Sequence, residues 1–427
     1  MTWDGGTNTG TASLTVNNTI TVSDWSNQGV MTINAGGVLN NSVSDIVGYG
    51  GQITVNPGGL LNTDSDGSGA MLQVSNSLLV NNGTINGITN VNYGALASGT
   101  GSYGTVILNT GGTFQAGAGP IASPSVTAPV GYIKSTSGSF TVTGAVKLAA
   151  DTVATVSDSS DTLTLAGSLS ASGMSLSKEG AGTLSLRAVQ AQGLYVNSGG
   201  VSILPGSGTS CLNALSISAS GKLDLTNNSM IVNYSGGSPA ADIRQMLASG
   251  YGPGDWSGTT GITSSFAHGD TDLRHTLAYG EASRLGITSL GGQTITGTAV
   301  VIKYTNIGDS NLDGIVDLDN DFSLFVDGYN KQLSDPTSLN PGNLWASGDY
   351  NYDGVIDLDN DFSLFVDAYA KYQQDPTQLA VIRNVINSMD LTITQKNAML
   401  ASVPEPASLG LVALAAAPLF ARRRRQK

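Results

Sequence analysis

Through its first half the chain alternates apolar and polar residues in short runs, each interrupted by a turn that contains glycine. Met31-Thr-Ile-Asn-Ala-Gly-Gly-Val-Leu-Asn40 returns at an offset of 22 as Ile53-Thr-Val-Asn-Pro-Gly-Gly-Leu-Leu-Asn62. Looser versions stand at Val106–Phe114, Leu194–Val201 and Leu215–Leu223. A side-chain period of two predicts strands with one buried face. One such unit cannot bury that face alone, but stacked on copies of itself it forms a continuous core. The reading for residues 1–222 is therefore a right-handed parallel β-helix or solenoid. The asparagine before the glycine turn either favours the turn conformation, the role expected here, or stacks in a ladder inside the coil.

The pattern changes from about Leu223. Ala240–Ala248 has helical spacing, with Ile243, Met246 and Leu247 on one face. A strand-like run, Thr294–Tyr304, follows. Residues 223–305 read as a β-rich capping and connecting segment, since a repeat stack needs its open end closed. Two helices are then predicted by Phe322, Leu324, Phe325, Val326 and Tyr329 and by their counterparts Phe362, Leu364, Phe365, Val366 and Tyr369. Their apolar faces should pack on one another. Residues 381–402 read as a helical linker.

Composition adds that the chain is β-rich and turn-rich, with 56 glycines, 40% apolar and only 11% charged residues. The net charge of −13 is concentrated: Gly308–Ala370 holds 13 Asp and one Lys, or −12. Carboxylates this dense repel one another unless a cation neutralises them. Cys211 is the one cysteine, so no intrachain disulfide forms, and its apolar setting reads as a small core residue.

The concentrated charge lies in a duplication. Gly308–Tyr329 and Gly348–Tyr369 share 17 of 22 residues, differing at Ser310/Tyr350, Leu312/Tyr352, Ile315/Val355, Val316/Ile356 and Gly328/Ala368. Each copy sets oxygen-bearing side chains at positions 1, 3, 5 and 9 with glycine at 6, the spacing by which one loop wraps a hard divalent cation. The doublet, residues 306–380, resembles a dockerin module, the duplicated calcium loop–helix that plugs into cohesin domains. The resemblance implies two Ca2+ sites. In the first, Asp309, Asn311 and Asp313 give side-chain oxygens, Ile315 its backbone carbonyl and Asp317 a direct or water-mediated contact. In the second, Asp349, Asn351, Asp353, Val355 and Asp357 repeat this. Strict counting makes Asn320 and Asn360 the final ligands, whereas alignment on the helix pattern favours Asp321 and Asp361, with one extra loop residue. Asp319 and Asp359 would stand in the outer shell. The chain departs from the family at positions 10 and 11, where cohesin-binding members often carry small hydroxyl residues and this one has Leu318-Asp319 and Leu358-Asp359. The partners implied are a cohesin-like protein or an extracellular polysaccharide.

Two further resemblances bear on location. Leu176-Ser-Lys-Glu-Gly-Ala-Gly-Thr-Leu-Ser-Leu186 looks like the short repeat of autotransporter passengers, without that family's C-terminal barrel. Val403-Pro-Glu-Pro406, the apolar run Ala407–Ala421 and Arg422–Arg425 together resemble a PEP-CTERM sorting signal. Residues 403–427 are then a sorting tail whose short membrane helix, 407–421, lies below the ~20 residues of a full span. The basic cluster would hold its end at the cytoplasmic face. The resemblance implies export, transient inner-membrane anchoring, cleavage by an exosortase-type protease and a final place at the cell surface or in the extracellular matrix. Met1-Thr-Trp-Asp-Gly-Gly lacks the basic start and apolar core of a signal peptide, so a longer upstream reading frame is expected.

Catalysis finds little support. The histidines are His268 and His275 alone, and before residue 223 acids such as Asp151, Asp158, Asp161 and Glu179 stand singly or in Ser/Thr-rich turns. Glycoside hydrolysis normally needs two positioned carboxylates. No nucleotide loop, zinc spacing or nucleophile motif occurs, and an acidic chain is a poor nucleic-acid binder. The expected protein is mainly β: a parallel β-solenoid, a small α-helical dockerin-like two-calcium module and a C-terminal membrane helix. It reads as a non-catalytic surface or adhesion protein; the alternative is a polysaccharide lyase or glycoside hydrolase that carries a dockerin.

Overall fold

The computed structural model describes Thr2 to Val403 apart from residues 4–5, 9–12, 23–24, 28, 42–45, 66, 100, 110–111, 117–130, 136–137, 143–144, 273, 374–377 and 390. The chain divides into two compact units. The first holds Met1–Asn233 with Thr259–Gly261 and Gly291–Gln293, and the second holds Tyr234–Gly258, Ile262–Leu290 and Thr294–Lys427.

The first unit is a parallel β-solenoid. Val30–Ile33 lies beside Gln52–Val55, and Val38–Asn41 beside Leu60–Asn62, both at the offset of 22 seen in the sequence. Each rung repeats the alternation, so Leu39 stacks on Leu61 and Leu61 on Ile85, all fully buried. Rung length varies: Leu96 pairs with Thr113, 17 residues on, and Gln52 with Leu78, 26 on. The register also shifts within two long strands, between Ile85 and Ile88 and between Ala171 and Ser175.

The asparagines do more than shape turns. Asn56 Nδ2 donates to Asn34 Oδ1 and Asn34 Nδ2 to Asn17 Oδ1, both at 2.8 Å. A second ladder runs through Asn86, Asn62 and Asn40 at 2.9 and 2.7 Å. These ladders stand on the solvent side of the coil, not inside it. In-register parallel stacking repeats a side chain every ~4.8 Å, which brings each amide donor to the acceptor of the rung beside it. The turn role holds too, since the carbonyls of Asn34 and Asn56 accept from Gly37 and Gly59 at 2.8 Å. A methyl group on Gly37 would lie 2.2 Å from the Val16 carbonyl oxygen, so that turn admits only glycine.

Two further residues take defined places. Cys211 is not a core residue: its strand, Thr209–Leu212, buries Ser210 and Leu212 and turns Cys211 outward, where Asn233 Nδ2 approaches its sulfur at 3.3 Å. Lys178 is fully buried and donates to the carbonyls of Glu179, Gly180 and Ser198 at 2.7, 2.8 and 3.2 Å. Burial holds its ammonium down at about 8, against the pull of Glu179. The Lys-Glu-Gly-Ala-Gly run is thus a strand end closed by one lysine.

In the second unit His275–Glu281 pairs antiparallel with Thr298–Asn306, a strand that begins four residues later than the sequence pattern indicates. The described helices are α1 (Ala240–Tyr251), α2 (Ser265–His268), α3 (Ala282–Leu285), α4 (Asp321–Ser334), α5 (Ser363–Gln373), α6 (Gln378–Ser388) and α7 (Ile393–Ser402). Helix α1 buries Ile243 and Leu247 as its spacing predicts and leaves Met246 half-buried. Helix α4 faces α5 and the turn that leads into it through aromatic rings: Phe322 lies 5.7 Å from Phe362 and 5.5 Å from Phe365, and Phe325 lies 5.4 Å from Phe362. Trp345, on the connection between the copies, is fully buried against Tyr350 and Tyr352 at 5.1 and 5.5 Å. Helices α6 and α7 bury Leu379, Ile382, Ile386 and Met399, and α7 opens on a capping box of Thr392 and Gln395.

A candidate metal centre in the acidic doublet

Each loop begins with a carboxylate that the fold has removed from water. Asp309 is fully buried; its Oδ2 accepts from the Gly314 amide at 3.0 Å and from the Thr305 hydroxyl. Asp349 is equally buried, and its Oδ2 accepts from the Gly354 amide at 3.1 Å. In both residues the other oxygen, Oδ1, is buried without a hydrogen-bond partner. The chain reaches these amides by a sharp wrap: Gly314 and Gly354 have φ of +99° and +89°, and Leu312 and Tyr352 both have +63°. A side chain at those glycines would strain a backbone that L residues rarely adopt.

A second buried carboxylate closes each loop, and it comes from Asp321 and Asp361. Asp321 Oδ1 accepts from the amides of Ser310 and Asn311 at 2.8 and 3.3 Å, and Oδ2 from that of Asp317 at 2.9 Å. Asp361 repeats this with Tyr350, Asn351 and Asp357 at 2.8, 3.3 and 3.0 Å. Asn320 and Asn360 point outward, each bonded to the preceding Asp317 or Asp357. The extra loop residue is absorbed as a wide turn: Phe322 N–H reaches the Asp317 carbonyl at 3.2 Å and Phe362 N–H the Asp357 carbonyl at 3.1 Å, five residues back in each case. Such π-type turns recur at functional sites.

The remaining predicted donors form the rim. Asn311 Oδ1 takes the Asp313 amide at 2.9 Å and Asp313 Oδ1 the Ile315 amide at 2.7 Å; Asn351, Asp353 and Val355 match at 2.9 and 2.8 Å. The side chains of Ile315 and Val355 face solvent, as do Asp319 and Asp359. Burial pushes Asp321 and Asp349 up to about 7 and Asp361 to about 8, reinforced by the neighbouring loop carboxylates, and it raises Asp309 as well. Two carboxyl groups per loop are thus held where they ionise poorly without a counter-charge.

Among the described residues no group of three or more His, Cys, Asp or Glu side chains closes to metal-holding distance. The donors that calcium takes include amide and carbonyl oxygens, which such a grouping omits. The orphaned Oδ1 atoms, the closing carboxylates and the +φ glycines are the observations on which the residues fit a hard cation.

Sequence reading missed the groups that brace these loops. Trp345 Nε1 donates to the Asp309 carbonyl at 2.9 Å, and Ser310 Oγ meets Tyr350 OH at 2.8 Å, which ties one loop to the other. Tyr352 OH donates to the Leu277 carbonyl at 2.9 Å. Lys303 Nζ donates to the Leu312 carbonyl and Arg244 Nη1 to the Tyr352 carbonyl, both at 2.6 Å. Nothing in the loop spacing points to them; the Ser310/Tyr350 and Leu312/Tyr352 differences were the available signal. Beside the second loop a cleft of about 610 Å3 is lined by Tyr251, Gly252–Gly254 and Asp353 among others.

The other candidate acids stand apart. Asp151 accepts from the Ser175 amide at 2.8 Å and Glu179 from Asn197 at 2.7 Å, while Asp161 is buried with one oxygen unpartnered. His275 bonds Asp270 at 2.6 Å and stacks on Tyr304, and His268 bonds the Asp255 carbonyl at 2.7 Å.

The first unit makes the chain a parallel β-solenoid protein. Its residues 402–425 match the family described as the PEP-CTERM protein-sorting motif. That motif marks an exported, surface-sorted protein and is processed by an exosortase-type sorting enzyme. The expected membrane helix at 407–421 lies outside the described residues, among which no helix is long and apolar enough to cross a membrane. No curated protein and no solved structure matches the chain.

Proposed function

We propose that the chain is a non-catalytic structural or adhesion protein of the cell surface, whose acidic doublet is a dockerin-like pair of calcium sites. The observation that carries this reading is the buried, unpartnered Oδ1 of Asp309 and of Asp349, each with a second buried carboxylate closing its loop. Such groups cost several kcal/mol when ionised and unpaired, and a bound cation removes that cost. Asp309, Asn311, Asp313, the Ile315 carbonyl, Asp317 and Asp321 would hold the first ion; Asp349, Asn351, Asp353, the Val355 carbonyl, Asp357 and Asp361 the second. Calcium, when bound, supplies the positive charge that lets the buried carboxyls ionise. The chain's own residues supply the wrap, through Gly314 and Gly354, and the brace, through Trp345 and the stacked phenylalanines. Export would carry the doublet to a calcium-rich exterior, where two bound ions would offset four of the repeat's twelve excess negative charges. A cohesin-like protein or an extracellular polysaccharide is the partner class for the ordered doublet and solenoid.

Isothermal titration of the full-length chain with calcium chloride tests this. Two sites are expected, with D321N and D361N each losing one and N320A leaving both within about threefold. Absence of binding heat in the wild-type chain overturns the reading.

A further inference from the structure

The sorting motif overlaps the folded second unit. The match begins at Ser402, the last residue of α7, and Val403 is the last described residue. Val403 is 1% exposed, and its backbone is extended at φ −86° and ψ 114°, the region that a residue before proline favours. Its carbonyl oxygen accepts from Arg383 Nη2, on α6, at 2.6 Å. A charged donor makes such a bond roughly twice as strong as a neutral one. Helix α7 is seated along its length as well. Gln395 Nε2 donates to Asn330 Oδ1 on α4 at 2.9 Å, Lys396 Nζ donates to the Asn387 carbonyl on α6 at 2.8 Å, and Met399 is fully buried.

Cutting a peptide bond passes its carbonyl carbon to water or another nucleophile and frees the amine of the next residue. The enzyme must reach that carbonyl, which is why proteolysis falls on exposed loops and chain ends. We propose that Arg383 sets the upstream limit of the sorting cut: it ties Val403 to the second unit, so the sorting enzyme meets the folded chain only from Pro404 onward and the mature protein keeps Val403. The Val403–Pro404 bond is itself protected, because its carbonyl belongs to the tied and buried residue. Arg383 is a positioning residue on the substrate side of the reaction. The proposal stands on the sorting match and is independent of the calcium reading.

Mass spectrometry of the mature chain recovered from the cell surface should give a C-terminus at Pro404 or later. An end at Val403 or upstream overturns the proposal without any variant. In the purified full-length chain, proteinase K under native conditions should likewise stop short of α7. R383A should raise cleavage within residues 393–403 about tenfold, since a hydrogen bond from a charged donor is lost and proteolysis follows the population of the opened form. R383K, which keeps a charged donor for the Val403 carbonyl, should hold that rise to about threefold or less. Cleavage elsewhere in the second unit should stay within about twofold in both variants. An R383A chain whose α7 resists as the wild type does overturns the proposal. So does one cut faster throughout the second unit, where Arg383 would be a general support of the fold.

Discussion

At the scale of single residues, the doublet is a set of acids held in the wrong solvent. Asp321, Asp349 and Asp361 are pushed up to about 7, 7 and 8 by burial and by the carboxylates they face. Around them stand Asp313 and Asp353 on the rim, Lys303 beside Asp309, and Arg244 near Asp349. A carboxyl whose folded value lies above its unfolded one stabilises the fold below ~4, and that stability is lost as pH rises through 7 to 8. The calcium-free chain should therefore unfold at lower urea at pH 8.5 than at pH 5, with stability falling steadily from about pH 4 and levelling off above about pH 8. Saturating calcium should reverse the sign, because the ion binds the deprotonated form. A calcium-free midpoint that rises across this range would contradict the burial argument.

At the scale of elements, the alternation of Met31–Asn62 and its looser copies already contained the solenoid, because period two plus a glycine turn admits few other stackings. The phenylalanine spacing of α4 and α5 likewise indicated their shared face. The Asn34–Asn56 and Asn40–Asn62 ladders were not legible, since they depend on register between rungs, which one rung does not contain. Nor were Lys303 and Arg244, which reach the loops from outside the duplicated segment. The helix pattern already favoured Asp321 over Asn320; what it did not contain is the wide turn at Phe322 that absorbs the extra residue, a backbone detail absent from any residue count. Among the five differences between the copies, Gly328 and Ala368 have a packing reason. A methyl group on Gly328 would lie 1.9 Å from the Ser347 carbonyl oxygen, where α4 runs against the Trp345–Ser347 turn. Gly328→Ala should destabilise the second unit by ~3 kcal/mol as overpacking. Ala368→Gly should cost only ~1 kcal/mol of helix propensity. Urea midpoints of the two variants check the asymmetry.

At the scale of the whole molecule, neutral rungs and acidic loops fall in different compact units, so calcium should act on one and not the other. Differential scanning calorimetry is expected to resolve two transitions, of which EDTA lowers one and leaves the other in place. A single transition that moves as a whole would argue against that separation. The Gly328/Ala368 difference reaches this scale as well. Two near-identical loop–helix copies invite exchange between chains, each lending a copy to the other's core. The copies are not interchangeable at this point: a methyl group in the Gly328 seat would lie 1.9 Å from the Ser347 carbonyl oxygen. One methyl group thus gives the duplication a front and a back.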